Sequence, residues 1–379
     1  MERVLGRLGR HGPGAPTLIV VGGVHGNEPA GVEASQRVSR VLAPRADRLE
    51  GSVVFLVGNL QALALGRRFV DRDLNRAWTP EGVEELRRRS TGDSGEPPIA
   101  EDVEQRELMA ILDAVLDEAQ GPVYLLDLHT TSGSGGPFST VADALRNRQV
   151  ALNLPVPLVL GLEELVEGTL HEYLATRHCI TVAFETGQHD EPAAVDRAEA
   201  GIWIMLEATG VAAAGALDEV EPSRERLERD TARLPRVLEM RYRHPVEPED
   251  AFRMHAGYGN FQRVRRGEIL AEDRNGPVLA PETARILMPL YQAQGQDGFF
   301  VVRSFSNFWL AVSRGLRKVG ADRWVHWLPG IRVHPERPEA RIVDRRVARF
   351  YALQLLHLLG YRRHEEDGAR LVVVRQVRD

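Results

Sequence analysis

Residues 17–31 read TLIVVGGVHGNEPAG. Thr17–Val21 is a short apolar run stopped by Gly22 and Gly23, the pattern of a buried strand followed by a turn. Helical spacing follows over Glu28–Val41, with Ala34, Val38 and Val41 on one side. The pattern then repeats. Val53–Val57, Val123–Leu126, Leu158–Leu160 and Ile180–Phe184 are further apolar runs rich in β-branched residues. Gly82–Arg89 and Val103–Gln120 have helical spacing, the second with Val103, Leu108, Ile111, Leu112 and Val115 on one stripe. Ser90–Pro98 between them is a polar loop. Near-continuous apolar strands alternating with helices predict an α/β fold, a mixed and mostly parallel sheet with helices on both faces.

The texture changes near Ala213. Asp218–Arg236 is charge-rich and reads as a solvated helix. From Arg241 to Arg303, short alternating runs are punctuated by turns at Ala256-Gly257, Arg266-Gly267, Asn275-Gly276 and Gln296–Gly298, the signature of a smaller β-rich C-terminal domain. Beyond Ser304 the chain is mixed: Arg345–Tyr361 is an amphipathic helix by its spacing, Leu371–Val374 a closing strand, and Trp309, Trp324 and Trp327 lie in this part. The expected division is a catalytic α/β domain over 1–215, a charged connecting segment over 216–240, a β-rich domain over 241–303 and a C-terminal extension over 304–379.

Composition narrows the function classes. The 379 residues carry 48 Lys and Arg against 54 Asp and Glu, a net charge of −6. A nucleic-acid partner, which selects for a basic excess, is not expected. The single cysteine, Cys179, excludes a disulfide framework and a Cys-rich zinc site, and its place at the start of an apolar run marks it as a core residue. Any metal must be held by carboxylates and some of the 12 histidines. No apolar run suits a membrane span, and Met1–Thr17 lacks the apolar stretch of a secretion signal. The expectation is a soluble cytoplasmic protein with no membrane partner; a homo-oligomer is compatible with the sequence.

Four apolar strands are each followed by unusual polar groups. These are His25, Asn27 and Glu28 after the first, and Asn59, Arg68 and Arg72–Arg76 after the second. Asp127, His129, Thr130 and Thr131 follow the third, and Glu185-Thr186-Gly187 the fourth. Open parallel sheets bind ligands outside the carboxyl ends of their strands, so the four groups can converge on one crevice. His25, Glu28 and His129 match a catalytic zinc site, with three protein ligands and a position left for water. A strand-end Glu185, partly desolvated, suits proton transfer. Arg68, Asn75 and Arg76 suit an anionic substrate, because the guanidinium fork fits a carboxylate. The competing assignments are a polar loop for His25 and Glu28, a hydrogen-bonded structural His129, a Glu185–Arg pair, and a surface loop whose arginines pair with Glu81 or Glu84. Asp73 or Asp127 could orient a ligand histidine, with a slight preference for Asp73. The dinucleotide G-x-G-x-x-G, the phosphate-binding G-x-x-x-x-G-K-[ST] and the serine-hydrolase G-x-S-x-G patterns are not matched.

Gly22–Gly31 (GGVHGNEPAG), Arg68–Arg76 (RFVDRDLNR), Asp127–Thr131 (DLHTT) and Phe184–Gly187 (FETG) together resemble the aspartoacylase/succinylglutamate desuccinylase family, the deacylating branch of the zinc carboxypeptidase fold. Arg265–Gly276 (RRGEILAEDRNG) is similar to that family's smaller C-terminal domain. The resemblance implies one Zn²⁺ per chain on His25, Glu28 and His129, Glu185 as general acid/base, and Arg68, Asn75 and Arg76 as a clamp for carboxylate and scissile carbonyl. The implied reaction is hydrolysis of a small anionic N-acyl amino acid. His171-Glu172-Tyr173-Leu174-Ala175 lacks the arginine that aspartoacylases use for the aspartate side chain, and Gly295–Phe299 stands where they offer tyrosines. The alternatives are a zinc carboxypeptidase acting on peptides and a non-catalytic metal- or ligand-binding protein.

Overall fold

The apolar runs become strands and the striped segments become helices. In chain order the first half holds β1 (Val4–Gly9), β2 (Thr17–Gly22), α1 (Ala30–Leu42), β3 (Ser52–Val57), α2 (Leu60–Leu65), α3 (Pro80–Ser90), α4 (Ala100–Glu118) and β4 (Val123–Thr131). Then come β5 (Phe138–Thr140), α5 (Leu145–Ala151), β6 (Leu158–Leu160), α6 (Leu170–Thr176), β7 (Ile180–Gln188), α7 (Pro192–Ala208), α8 (Val220–Thr231) and β8 (Val237–Pro245). Six short strands follow: β9 (Arg253–Met254), β10 (Arg263–Val264), β11 (Ile269–Asp273), β12 (Gly276–Leu279), β13 (Ala284–Leu287) and β14 (Asp297–Ser304). Finally β15 (Ile331–Val333), β16 (Ala340–Asp344), β17 (Tyr361–Asp367) and β18 (Arg370–Arg375) form an antiparallel sheet in the order β15-β16-β18-β17. The structure, a computed structural model, describes residues 1–90, 98–142, 144–162, 165–305, 327, 330–335, 340–344, 361–367 and 370–375. Most of the expected Ser90–Pro98 loop, nearly all of the Arg345–Tyr361 helix, Trp309 and Trp324 lie outside the described residues.

Eleven strands share one sheet in the order β1-β3-β2-β4-β7-β5-β6-β8-β14-β13-β10. Its centre is parallel: β2 runs with β3 and β4, and β4 with β7. β1 closes one edge antiparallel to β3. At the other side β6 pairs in parallel with β8, which leads antiparallel into β14. The sheet therefore crosses the charged segment, and the β-rich residues extend it. A second small sheet, β12-β11-β9, packs its Met254, Leu270 and Val278 against Ile286, Phe299 and Val301 of β13 and β14.

Helices cover both faces. On one face α1, α7 and α8 pack Ala34, Val38, Leu42, Trp203, Met205 and Leu227 onto Leu18, Val20, Leu126, Leu128 and Phe184. On the other, Leu108, Leu112 and Val115 of α4 and Leu170 and Leu174 of α6 pack onto Ile19, Val21, Val54, Leu56 and Leu125. Cys179 is buried in this second layer, where desolvation pushes its thiol up to about 11. Among the described residues no helix is long and apolar enough to cross a membrane.

Three details differ from the sequence reading. α1 begins at Ala30, leaving Glu28 in the loop ahead of it. Val41 is exposed, and Leu42 closes the buried stripe, one turn beyond Val38. β4 runs on to Thr131 and β7 to Gln188, so Asp127, His129 and Glu185 stand within strands rather than after them. Polar side chains hid this, because an apolar run is a poor guide to where a strand stops when its last residues face a polar cavity.

Glycines let the layers close. A Cβ on Gly22 would lie 2.6 Å from the carbonyl carbon of Gly31, and one on Gly31 would lie 2.7 Å from Cβ of Leu128. At Gly26 a Cβ would lie 2.0 Å from the carbonyl carbon of Ala62, so the His25–Glu28 loop rests directly on the backbone of α2. Gly26→Ala should therefore destabilise the protein by about 1–3 kcal/mol in denaturant unfolding. Gly12→Ala, with no atom within 4 Å of its added Cβ, should leave the midpoint unchanged.

Candidate metal centre and active site

Strand alternation builds the site. Leu126 and Leu128 of β4 and Val182 and Phe184 of β7 enter the layer beneath α1 and α7. The intervening Asp127, His129 and Glu185 must face the other side, because successive strand residues point to opposite faces. His129 and Glu185 are register partners on these parallel strands, so their side chains stand next to each other. The loop between β2 and α1 brings His25 and Glu28 to the same place. It is held by a Glu28 N–H bond to the His25 carbonyl and a Gly26 N–H bond to the Arg68 carbonyl, both 3.1 Å.

His25, Glu28 and His129 are buried, and their donor atoms all lie within 4.8 Å of one another. His25 Nδ1 is 2.8 Å from Glu28 Oε1, and His129 Nδ1 is 3.2 Å from Glu28 Oε2. The Thr130 N–H donates to Glu28 Oε2 at 2.8 Å. The far nitrogens each face a second carboxyl. His25 Nε2 is 3.1 Å from Asp73 Oδ1; His129 Nε2 is 3.1 Å from Asp127 Oδ2, close but not aligned for a hydrogen bond. The two candidates for orienting a histidine thus divide the task, Asp73 facing His25 and Asp127 facing His129. His25 can direct Nε2–H at Asp73 and keep a lone pair on Nδ1, while His129 has Asp127 as the nearest carboxyl to its Nε2.

The electrostatics favour positive charge here. Burial disfavours a charged His129, yet Asp127 and Glu28 raise its pKa well above the ordinary value. Burial also works against ionised Glu28, but the charges and hydrogen bonds of the two histidines hold it well below the carboxylate range. The donors are hard oxygen and borderline nitrogen, a set suited to a divalent metal with one or more positions left open. Glu185 behaves differently. Burial pushes its carboxyl up to about 8, with Glu28 and Asp127 adding to the shift and His129 opposing it. Its buried Oε2 has no hydrogen-bond partner.

Arg68, Asn75 and Arg76 line the same cavity as these four residues. The arginines do not pair with Glu81 or Glu84. Arg68 Nε and Nη2 donate to Asp73 Oδ2 at 3.1 and 3.0 Å. Arg76 Nη2 donates to Asp297 Oδ2 at 2.7 Å, and Nη1 to the Asn75 carbonyl at 3.0 Å. Asn75 Oδ1 accepts from the Leu170 N–H at the start of α6.

Sequence reasoning missed several residues that shape the site. Glu101, buried in the first turn of α4, accepts from the backbone N–H groups of Val70, Asp71 and Arg72 and from Asn59 Nδ2, at 2.7–3.2 Å. It thereby supports the loop that presents Arg68, Asp73, Asn75 and Arg76. His171 lines the cavity with its pKa lowered to about 4, chiefly by burial. Gln292 accepts from Asn27 Nδ2 at 2.6 Å and lies 3.0 Å from His189 Nε2. Nothing in local spacing marks these residues. They act through partners as distant as 265 positions along the chain.

On a doubly covered α/β sheet, a buried His-Glu-His cluster that could hold a metal ion thus stands beside a carboxyl and two arginines. Comparison with known proteins gives the family. Residues 14–263 match the succinylglutamate desuccinylase/aspartoacylase catalytic domain, and the chain belongs to that family, whose members are deacylases. Over 61 residues the chain is 41% identical to succinylglutamate desuccinylase of Pseudomonas paraeruginosa. That match covers 16% of this chain and 18% of the relative, and the chain aligns with about a fifth of the length of the curated relatives it matches. The fold is shared with a succinylglutamate desuccinylase/aspartoacylase structure from Rhodobacter sphaeroides (TM-score 0.56, 19% identity, 79% of this chain and 88% of that one). It is also shared with the product-bound ectoine utilization protein EutE (DoeB) from Ruegeria pomeroyi (TM-score 0.54, 17% identity, 78% and 87%).

The Glu101 contacts have a measurable consequence. Glu101→Gln replaces an acceptor oxygen with a donor facing backbone N–H groups. It should cost at least about 2 kcal/mol in unfolding free energy. Unchanged stability would show that the loop stands without it.

Proposed function

We propose that the chain is a zinc-dependent deacylase that hydrolyses the amide bond of a small N-acyl amino acid or related carboxylate. The observation that carries this reading is the position of Glu185. A buried carboxyl with an unpartnered oxygen stands beside His129, in the wall of a cavity that also holds His25, Glu28, Arg68 and Arg76. His25, Glu28 and His129 would hold the metal. When bound, zinc supplies Lewis-acid polarisation of the acyl carbonyl and acidifies the attacking water.

The residues of the chain do the rest. Glu185 takes a proton from water as its oxygen bonds to the carbonyl carbon. It then delivers that proton to the nitrogen as the carbon–nitrogen bond breaks, leaving a carboxylate and a free amine. A carboxyl raised toward neutral pH suits both transfers. Arg76 or Arg68 steadies the oxyanion, and the arginines with Asn75 seat the substrate carboxylate. Asp73 and Asp127 orient the two histidines.

The roof of the cavity favours small substrates over peptides. Residues between Pro289 and Asp297 reach across it. Besides the Gln292 contacts, Ser132 Oγ donates to the Pro289 carbonyl, Gln294 Nε2 to the Phe69 carbonyl, and the Tyr291 N–H to Ser132 Oγ. A peptide threading toward Glu185 would have to displace these contacts. The proposed location is the cytoplasm, and the proposed reaction requires no nucleic acid or membrane.

Glu185→Gln should retain bound zinc, measured by elemental analysis, while losing about 10²–10⁴-fold in turnover of an N-acyl amino acid. Peptides assayed beside it should be cut more slowly by the wild-type protein. Full activity in the variant would remove Glu185 from the reaction, and faster peptide cleavage would favour the carboxypeptidase alternative.

A further inference from the structure

Resting on the deacylase reading, we propose that the substrate carries a single carboxylate and is otherwise uncharged, so that derivatives of aspartate, glutamate and succinate are poor substrates. The argument is an inventory of charge in the cavity. Among the described lining residues the only arginines are Arg68 and Arg76, and no lysine lines it. Both arginines are largely engaged. Arg68 Nε and Nη2 donate to Asp73, and Nη1 lies 3.7 Å from Glu28 Oε1. Arg76 directs Nη2 at Asp297 and Nη1 at a carbonyl, and its Nε is buried without a partner. Each guanidinium thus already faces a carboxylate of the protein, so its remaining N–H groups can meet one substrate carboxylate while no uncompensated cation is left for a second.

Asp297 is what limits the count. It enters from the start of β14 and lies 86% buried by side-chain exposure of 14%. Its Oδ2 takes Arg76, and its Oδ1 accepts from Arg243 Nε. Arg243 also donates to the Leu165 carbonyl at 2.9 Å and does not line the cavity. Asp297 thus faces Arg76 and holds Arg243, which is not among the lining residues. A second substrate carboxylate would be desolvated opposite Asp297 with no free cation to meet it, a severe penalty for a buried charge. A substrate ammonium gains little, because two guanidinium groups already compensate the charge of Asp297.

Part of the wall is apolar. Leu162, Val166, Met288, Leu290 and Phe300 line the cavity, and all but Leu290 belong to one packed cluster with Phe138 and Phe261. That surface suits an aliphatic or aromatic group. Besides the buried His171, His189 lines the wall, and both its ring nitrogens lie within hydrogen-bond distance of partners: Thr130 Oγ1 at 2.7 Å and Gln292 Oε1 at 3.0 Å.

The test is kcat/KM of the zinc-loaded full chain on N-acetyl-leucine, N-acetyl-phenylalanine, N-acetylaspartate, N-succinylglutamate and Nα-acetyl-lysine, repeated with Asp297→Asn. N-acetyl-leucine and N-acetyl-phenylalanine should exceed the dicarboxylates by about 100-fold in the wild type. In Asp297→Asn the ratio of dicarboxylate to monocarboxylate turnover should rise about tenfold, a change that a general loss of folded protein would not produce. Preference for either dicarboxylate, or for the lysine derivative, overturns this proposal and leaves the deacylase reading intact. An Asp297→Asn protein that folds with an unchanged ratio removes Asp297 as the determinant and overturns it also. Hydrolysis of none of the five by the wild type overturns both the proposal and the deacylase reading beneath it.

Discussion

The site depends on Glu28 standing between two buried imidazoles. Its oxygens approach His25 Nδ1 at 2.8 Å and His129 Nδ1 at 3.2 Å, while Asp73 and Asp127 face the far nitrogens. Burying this much carboxyl charge is costly unless a cation shares the space. A divalent ion held by His25, Glu28 and His129 would satisfy that constraint. The surrounding architecture serves to bring the three side chains, which come from one loop and one strand, within reach of each other.

The scaffold does this by division of labour between strands and loops. β4 and β7 supply His129 and Glu185 on rigid, adjacent positions, with Leu128 and Phe184 anchoring the opposite face. The arginines come from a loop, which needs separate support. Glu101 provides it from below by accepting three backbone N–H groups. Asp297 provides it from the β-rich side by holding Arg76. The continuous sheet from β6 through β8 to β14 fixes where Asp297 stands, so the C-terminal part of the sheet contributes directly to the chemistry of the N-terminal part.

Much of this was legible in the chain. The runs at Thr17, Val53, Val123 and Ile180 are all central strands, and the polar groups after or within them do meet. His25, Glu28 and His129 each fit a polar loop or a structural histidine when taken alone; what singled them out was their joint place at strand ends together with the family resemblance. The strand ends were misplaced, since a site residue such as His129 breaks the apolar pattern without ending the strand. Glu101, Gln292 and Asp297 were invisible for another reason. Their significance lies in contacts across tens to hundreds of positions, and an acidic residue at a helix start or strand start looks solvated until its partner is known. His171 was noted only for the arginine its neighbourhood lacks; its burial and its place in the cavity wall emerge from the packing of α6.

The most direct measurement is the metal content of the purified full chain and of Glu28→Gln, determined by elemental mass spectrometry together with a folding check by circular dichroism. The account predicts one zinc per chain in the wild type and none in a folded Glu28→Gln protein. An enzymatically active wild type without a divalent metal, or a Glu28→Gln protein that keeps its zinc, would contradict it.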